Sequence, residues 1–150
     1  MKHMTALLLA FALLLGAGAA LADEATAPAI DFDIEEATFL TQVTELLVNT
    51  QAYLGKTVAL EGMMDEYFYP ATGITYRTVY RNSPGCCGND GYTGLEVIWD
   101  DPAATYPKKD EWVRAVGVLE QYEENDSPYL RLRLTSINVL DTRGLDFVTQ

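Results

Sequence analysis

Gly55-Lys56-Thr57-Val58-Ala59-Leu60-Glu61-Gly62-Met63-Met64 is the stretch in which the hydrophobic period of the chain changes. Before it, Phe39, Val43, Leu46, Leu47, Thr50 and Leu54 recur at helical spacing, and Gly55 supplies a residue suited to a helix end. After it, Val58, Leu60 and Met64 alternate with Thr57, Ala59 and Glu61, which is the period of a strand. The change places one amphipathic helix in front of a β-domain.

Working towards the C-terminus, Ile74, Tyr76, Thr78 and Tyr80 alternate with Thr75, Arg77 and Arg81. Three more β-rich runs follow, 95–99, 112–120 and 129–140, separated by clusters of Asp, Pro, Gly or Asn. The last run carries Leu130, Leu132 and Leu134 on one parity and Ile137 and Val139 on the other, so a bulge is expected near Ser136. Gly62 and Gly117 inside strands mark the corners that a small closed sheet needs. Five strands with a short linker around Pro102–Pro107 predict a mainly β fold, a five-stranded OB-like barrel with one N-terminal helix packed against it.

Working towards the N-terminus, Asp33 stands three residues before Glu36, which predicts a capping box that starts the helix. Residues 23–32 read as a flexible leader. Ahead of them, Lys2 gives a short positive region, residues 5–21 are almost wholly apolar, and Ala20-Leu21-Ala22 has the small residues of a cleavage site. Residues 1–22 therefore read as a signal peptide cleaved before Asp23, and the mature protein is expected in the periplasm or outside the cell, without stable membrane insertion. The domain is expected over 33–141, with 142–150 as a C-terminal tail.

Cleavage would leave 128 residues, enough for one domain. Lys2 is one of the ten basic residues and His3 the sole histidine, so the mature chain carries nine basic against 22 acidic side chains, a net charge of −13. Such a chain is repelled by nucleic acid and by anionic lipid, whose binding requires Lys and Arg; cations and basic protein surfaces are the admissible partners. Without histidine there is no Ser-His or Cys-His arrangement, and no phosphate loop is visible. No catalytic residue is assigned. The acidic pairs Asp65-Glu66, Asp100-Asp101 and Glu123-Glu124 read as solvated turn residues.

The distinctive local feature is Arg81-Asn82-Ser83-Pro84-Gly85-Cys86-Cys87-Gly88-Asn89-Asp90-Gly91, a turn-rich segment between the second and third strands that carries both cysteines. Three readings compete. One is a Cys86–Cys87 vicinal disulfide, whose adjacent Cα atoms, about 3.8 Å apart, fall short of the usual ~4.4–6.8 Å and would make it easy to reduce. A second is a soft-metal site for zinc or copper, with Met63, Met64, Asp65 and Asp90 as further ligands. The third is a pair of reduced thiols packed beside the barrel. The tyrosines Tyr67, Tyr69, Tyr76, Tyr80 and Tyr92, with Phe68, are candidates for a binding face on strands two and three. Cys86, Cys87, Tyr76, Tyr80, Tyr92 and Asp90 are thus the candidate residues for a ligand or a protein partner.

Tyr53-Leu54-Gly55-Lys56-Thr57-Val58, Leu60-Glu61-Gly62, the Cys86-Cys87 pair, Gly94-Leu95-Glu96-Val97, Asp110-Glu111-Trp112-Val113 and Gly117-Val118-Leu119-Glu120 together resemble the C-terminal soluble domain of an uncharacterised bacterial two-component permease subunit family. The resemblance spans roughly residues 30–140. It implies an OB-like domain outside the cytoplasmic membrane, working beside a permease, with no established reaction and a link to metal handling. The chain departs from that pattern in having a signal peptide where the family has membrane helices. A non-enzymatic envelope binding module is the leading expectation; a thiol redox protein or sensor using Cys86-Cys87, and a zinc- or copper-binding protein, are the alternatives.

Overall fold

The computed structural model describes residues 29–150. The expected signal peptide, 1–22, and most of the expected leader, 23–28, lie outside the described residues. The elements are β1 (Phe32–Asp33), α1 (Phe39–Val48), β2 (Thr57–Tyr69), β3 (Ile74–Gly85), β4 (Gly88–Ile98), β5 (Trp112–Glu124) and β6 (Ser127–Val139). Strands β2 to β6 close on themselves in the order β2-β3-β4-β6-β5-β2, all neighbours antiparallel except β4 and β6. This is a five-stranded OB-like barrel, with α1 packed against it as the sequence predicts.

Closure depends on β2 serving two partners. Its first half pairs with β5 from Thr57↔Val118 to Met63↔Trp112, and its second half with β3 from Met63↔Tyr80 to Tyr69↔Ile74. The strand changes partner at Met63, next to Gly62, where a Cβ would stand 2.5 Å from the Tyr80 carbonyl oxygen. Gly117 is the matching corner on β5: a Cβ there would meet the Arg133 carbonyl oxygen at 2.5 Å. Beside it the register shifts, Val116 pairing with Ser136 and Gly117 with Leu134, so that Thr135 is the extra residue of a bulge. That is the parity change expected near Ser136.

The interior is filled by Val58, Leu60, Met64, Val79, Leu95, Val97, Val113, Ala115, Leu119, Leu132 and Leu134, closed at one end by Phe39, Val43 and Leu46 of α1. On β3 the polarity is the reverse of a simple amphipathic strand. Val79, Arg81 and Ser83 face inward and are buried, while Tyr76, Thr78, Tyr80 and Asn82 face outward. Arg81 is 1% exposed. Its Nε donates to the Glu61 carbonyl (2.8 Å), its Nη1 donates to Glu36 Oε2 (3.0 Å) and to the Leu145 carbonyl (3.2 Å), and its guanidinium lies over the rings of Phe39 (4.7 Å) and Trp112 (4.8 Å). A buried guanidinium persists only with such a set of acceptors.

Three boundaries differ from the sequence reading. The helix begins at Phe39, preceded by a single 3-10 turn over Glu36–Thr38, because Asp33 is not its cap. Asp33 instead pairs with Ala59 in β1, and its carboxylate accepts from Arg114 Nη2 at 2.6 Å. The end of the leader is therefore strand, with Phe32 opposite Val58. The helix also stops at Val48, short of Gly55, with a 3-10 turn over Thr50–Ala52 between them, and leaves Leu47 56% exposed.

Residues 142–150 belong to the domain. Asn82 N–H donates to the Asp146 carbonyl and Val148 N–H to the Asn82 carbonyl, Leu40 N–H donates to the Gln150 carbonyl, and Val148 is buried in the core. Glu36 Oε2 receives the Leu145 N–H at 2.7 Å as well as Arg81. Among the described residues no helix is long and apolar enough to cross a membrane.

Two consequences are measurable. Val148→Ala is expected to cost about 2 kcal/mol, or roughly 8 °C in Tm, by thermal unfolding, whereas Leu145→Ala, at an exposed side chain, should stay within about 0.5 kcal/mol; equal effects would place the segment outside the core. The second concerns acid. The Leu145 N–H, opposed by burial and assisted by Arg81, holds the Glu36 carboxyl below its ordinary value of 4.5. Its contribution is complete above that value and is lost as pH falls through the lower folded-state pKa. Urea titrations at falling pH should therefore show Glu36→Gln losing less stability than the wild type below pH 4.5; parallel acid limbs would contradict this.

Candidate functional site

The β3–β4 hairpin carries Cys86, Cys87, Asp90, Tyr76, Tyr80 and Tyr92 and sorts them into two groups. Pairing runs from Thr78↔Glu96 through Asn82↔Tyr92 and Ser83↔Gly91 to Gly85↔Gly88, so the turn-rich segment is a paired ribbon almost to its tip. Cys86 and Cys87 are the two residues of the reversal. Gly88, at φ 129°, takes the positive φ beside it, and neither cysteine leaves the negative-φ regions open to L-residues.

The ribbon is irregular just below the tip. Between Ser83↔Gly91 and Gly85↔Gly88 there is one residue on β3, Pro84, and two on β4, Asn89 and Asp90. Pro84 has no N–H to give the ladder and is tolerated at such a bulge. The bulge turns Asp90 back over the reversal: a Cβ on Gly85 would lie 2.1 Å from Asp90 Oδ1.

Both cysteines are exposed free thiols, their Sγ atoms 3.4 Å apart. The sulfur atoms of Cys86 and Cys87 and a carboxylate oxygen of Asp90 all lie within 4.8 Å of one another. The packing reading of the pair is therefore overturned: the thiols stand at the tip of a hairpin, away from the core. The proposed methionine and Asp65 ligands are also separated from them. Met63 and Met64 are buried on β2, where Arg143 Nη2 approaches Met63 Sδ at 2.7 Å, and Asp65 accepts from Lys109 Nζ at 2.5 Å.

The second group lies on the outer face of β3 and β4, with Tyr92 and Tyr80 roughly 16 to 20 Å down the ribbon from the cysteines at about 3.3 Å per residue. Asp65, Tyr67, Tyr76, Thr78, Tyr80, Asn82 and Tyr92 line a groove of about 480 Å³. Tyr80 and Tyr92 meet edge to face with centroids 6.0 Å apart, and Tyr92 is 74% exposed. Towards the β2–β3 turn the aromatic surface continues through Tyr67, Tyr69 and Ile74, all exposed, while Phe68 is exposed on the opposite face of β2. An exposed apolar strip of this kind marks an interaction surface.

Tyr76 donates to Glu124, and that bond, with burial and the nearby carboxylate charge, raises its pKa. Burial, then the charges of Asp65 and Asp110, raise that of Tyr80. Beyond Tyr76 the same outer face carries Tyr122, whose hydroxyl donates to Glu96 Oε2 at 2.5 Å, and Arg131 over the Tyr122 ring at 4.4 Å. Burial pushes the Glu96 carboxyl up, against the Tyr122 hydrogen bond and Arg131. Sequence reading missed Glu96, Tyr122 and Asn82 as neighbours of the aromatic face; outward parity of β4 and β5 was the signal that pointed to the first two.

Asp100 and Asp101 lie in a turn, as expected, but Asp65 and Glu66 sit on β2, paired with Lys109 and Arg77, and Glu123 and Glu124 on β5. No protein-family model and no curated protein matches the chain.

Proposed function

We propose that this chain is an exported, non-enzymatic binding module of the bacterial cell envelope, and that the tyrosine groove on the outer face of β3 and β4 receives a basic, extended segment of a protein partner. The observation that carries the reading is the groove itself, because Tyr76, Tyr80 and Tyr92 stand together on strands two and three of the barrel, the face on which OB folds take ligands, with Tyr67 beside them on the first strand. Lys and Arg side chains bind such rings through their cationic heads. Asp65 in the groove, Glu124 at Tyr76 and the net charge of −12 favour a cation over an anion.

The apolar run and small-residue motif of residues 5–22 support export. The resemblance to the soluble domain of a permease subunit supports a partner beside a membrane transporter, which the chain would approach from outside the cytoplasm. The aromatic strip from Tyr67 to Ile74 would extend the contact beyond the groove.

The test uses labelled ten-residue peptides, one rich in Lys and Arg, one rich in Glu and one uncharged, titrated against the protein purified from the periplasm, whose intact mass should start at Asp23. The basic peptide is expected to bind, more weakly as salt rises, and Tyr92→Ala or Tyr80→Ala should weaken it about tenfold. A basic peptide that binds no better than the acidic one, or tyrosine variants that bind like the wild type, would sink the proposal. An unprocessed N-terminus would sink the export reading alone.

A further inference from the structure

The hairpin tip offers a second site, independent of the groove. Two thiols and a carboxylate converge there from a six-residue segment, Gly85–Asp90, and all three side chains are exposed. We infer that Cys86, Cys87 and Asp90 chelate a thiophilic divalent cation, zinc by preference, with a fourth coordination position left open.

Geometry favours chelation over a disulfide. The Cys86–Cys87 peptide is not cis, so the Cα atoms stand about 3.8 Å apart, below the ~4.4 Å at which disulfides ordinarily begin. A tetrahedral zinc with two bonds of about 2.3 Å holds its sulfurs about 3.8 Å apart. The sulfurs are 3.4 Å apart here, a few tenths of an ångström from that spacing, and both belong to exposed side chains free to open it. A linear two-coordinate copper(I) site would need them about 4.6 Å apart at similar bond lengths, a larger rearrangement of a two-residue reversal.

Donor chemistry points the same way. The Asp90 carboxylate beside the two sulfurs adds an oxygen donor to the soft pair. It is well placed as a hard third ligand. The backbone makes room for it: only glycine at position 85 leaves space for the Asp90 carboxylate, and a Cβ on Gly91 would meet the Pro84 carbonyl oxygen at 2.7 Å. The two cysteines bind as thiolates, so their two thiol protons leave to solvent, and Asp90 supplies a carboxylate oxygen. Three ligands on an exposed turn leave the fourth position to water or to a donor from another molecule, the arrangement of a site that hands metal on or is bridged by a partner.

The experiment is a zinc titration of the reduced protein against a chromophoric chelator, with cobalt(II) as a spectroscopic substitute. The expected result is one equivalent of zinc, release of two protons, and with cobalt a thiolate charge-transfer absorption and tetrahedral visible bands. Cys86→Ser and Cys87→Ser should each weaken binding about 100-fold or more, and Asp90→Asn about tenfold, with circular dichroism unchanged because all three positions are exposed. The inference fails if the Cys86→Ser/Cys87→Ser double variant binds as the wild type does, if Asp90→Asn has no effect, or if copper(I) binds and zinc does not. It also fails if protein isolated without reductant resists alkylation and is two hydrogens light, since the pair would then be a disulfide.

Discussion

One guanidinium, that of Arg81, ties together the parts of this domain that sequence separates most widely. Its donors reach the β2 backbone at Glu61, the carboxylate of Glu36 ahead of α1, and the C-terminal segment at Leu145, while its plane covers Phe39 and Trp112. Burying such a group is costly unless every donor finds an acceptor, and removing one partner of a buried charge is among the more destabilising changes a core can suffer. Here the acceptors come from three separate parts of the chain, and the backbone bonds of Asn82 and Leu40 to the C-terminal segment join the same end. The helix and the C-terminal segment therefore sit on the barrel end as one closure, with Glu36 shared between Arg81 and the Leu145 amide.

That closure leaves the β3–β4 ribbon as the part of the barrel with freedom to serve a ligand. Because Arg81 and Val79 occupy the inner face of β3, the tyrosines are on the outer one, where they form a surface instead of a core. Farther along the same ribbon the pairing ends in a reversal made of two cysteines, beyond the reach of the barrel interior. A rigid barrel thus carries an aromatic groove on its wall and a thiol pair at a projecting tip, and the two can act separately because no element other than the hairpin itself joins them.

The barrel was legible because its signals are local. The change of period after Gly55, the parity shift in the last strand and the strand glycines Gly62 and Gly117 each report the conformation of a few neighbouring residues, and those conformations add up to a closed five-stranded sheet. What was hidden is long-range. Asp33 and Glu36 have the spacing of a capping box, yet their carboxylates are taken by Arg114 and by Arg81 with Leu145, partners 45 to 109 residues away. The alternation in β3 announces a strand without saying which face is inward, since a buried arginine reverses the usual polarity. Residues 142–150 look like a tail because Leu145, Phe147 and Val148 form no periodic run, and the place of Val148 in the core depends on its pairing with Asn82. Of the site, the residue types were legible and their grouping was not: only the fold shows Asp90 beside the thiols, and Met63, Met64 and Asp65 elsewhere.

The most direct test of Arg81 as the tie is amide hydrogen exchange in Arg81→Met, a substitution that keeps an unbranched apolar side chain in the core and removes the donors. Loss of protection is predicted first at Val148, Asn82 and Leu40, whose N–H groups bond to or within the C-terminal segment, while the β5–β6 amides around Leu119 and Leu132 remain slow. Retained protection at Val148 and Leu40, equal to that of the wild type, would show that the helix and the C-terminal segment hold the barrel end without Arg81, and would contradict the account.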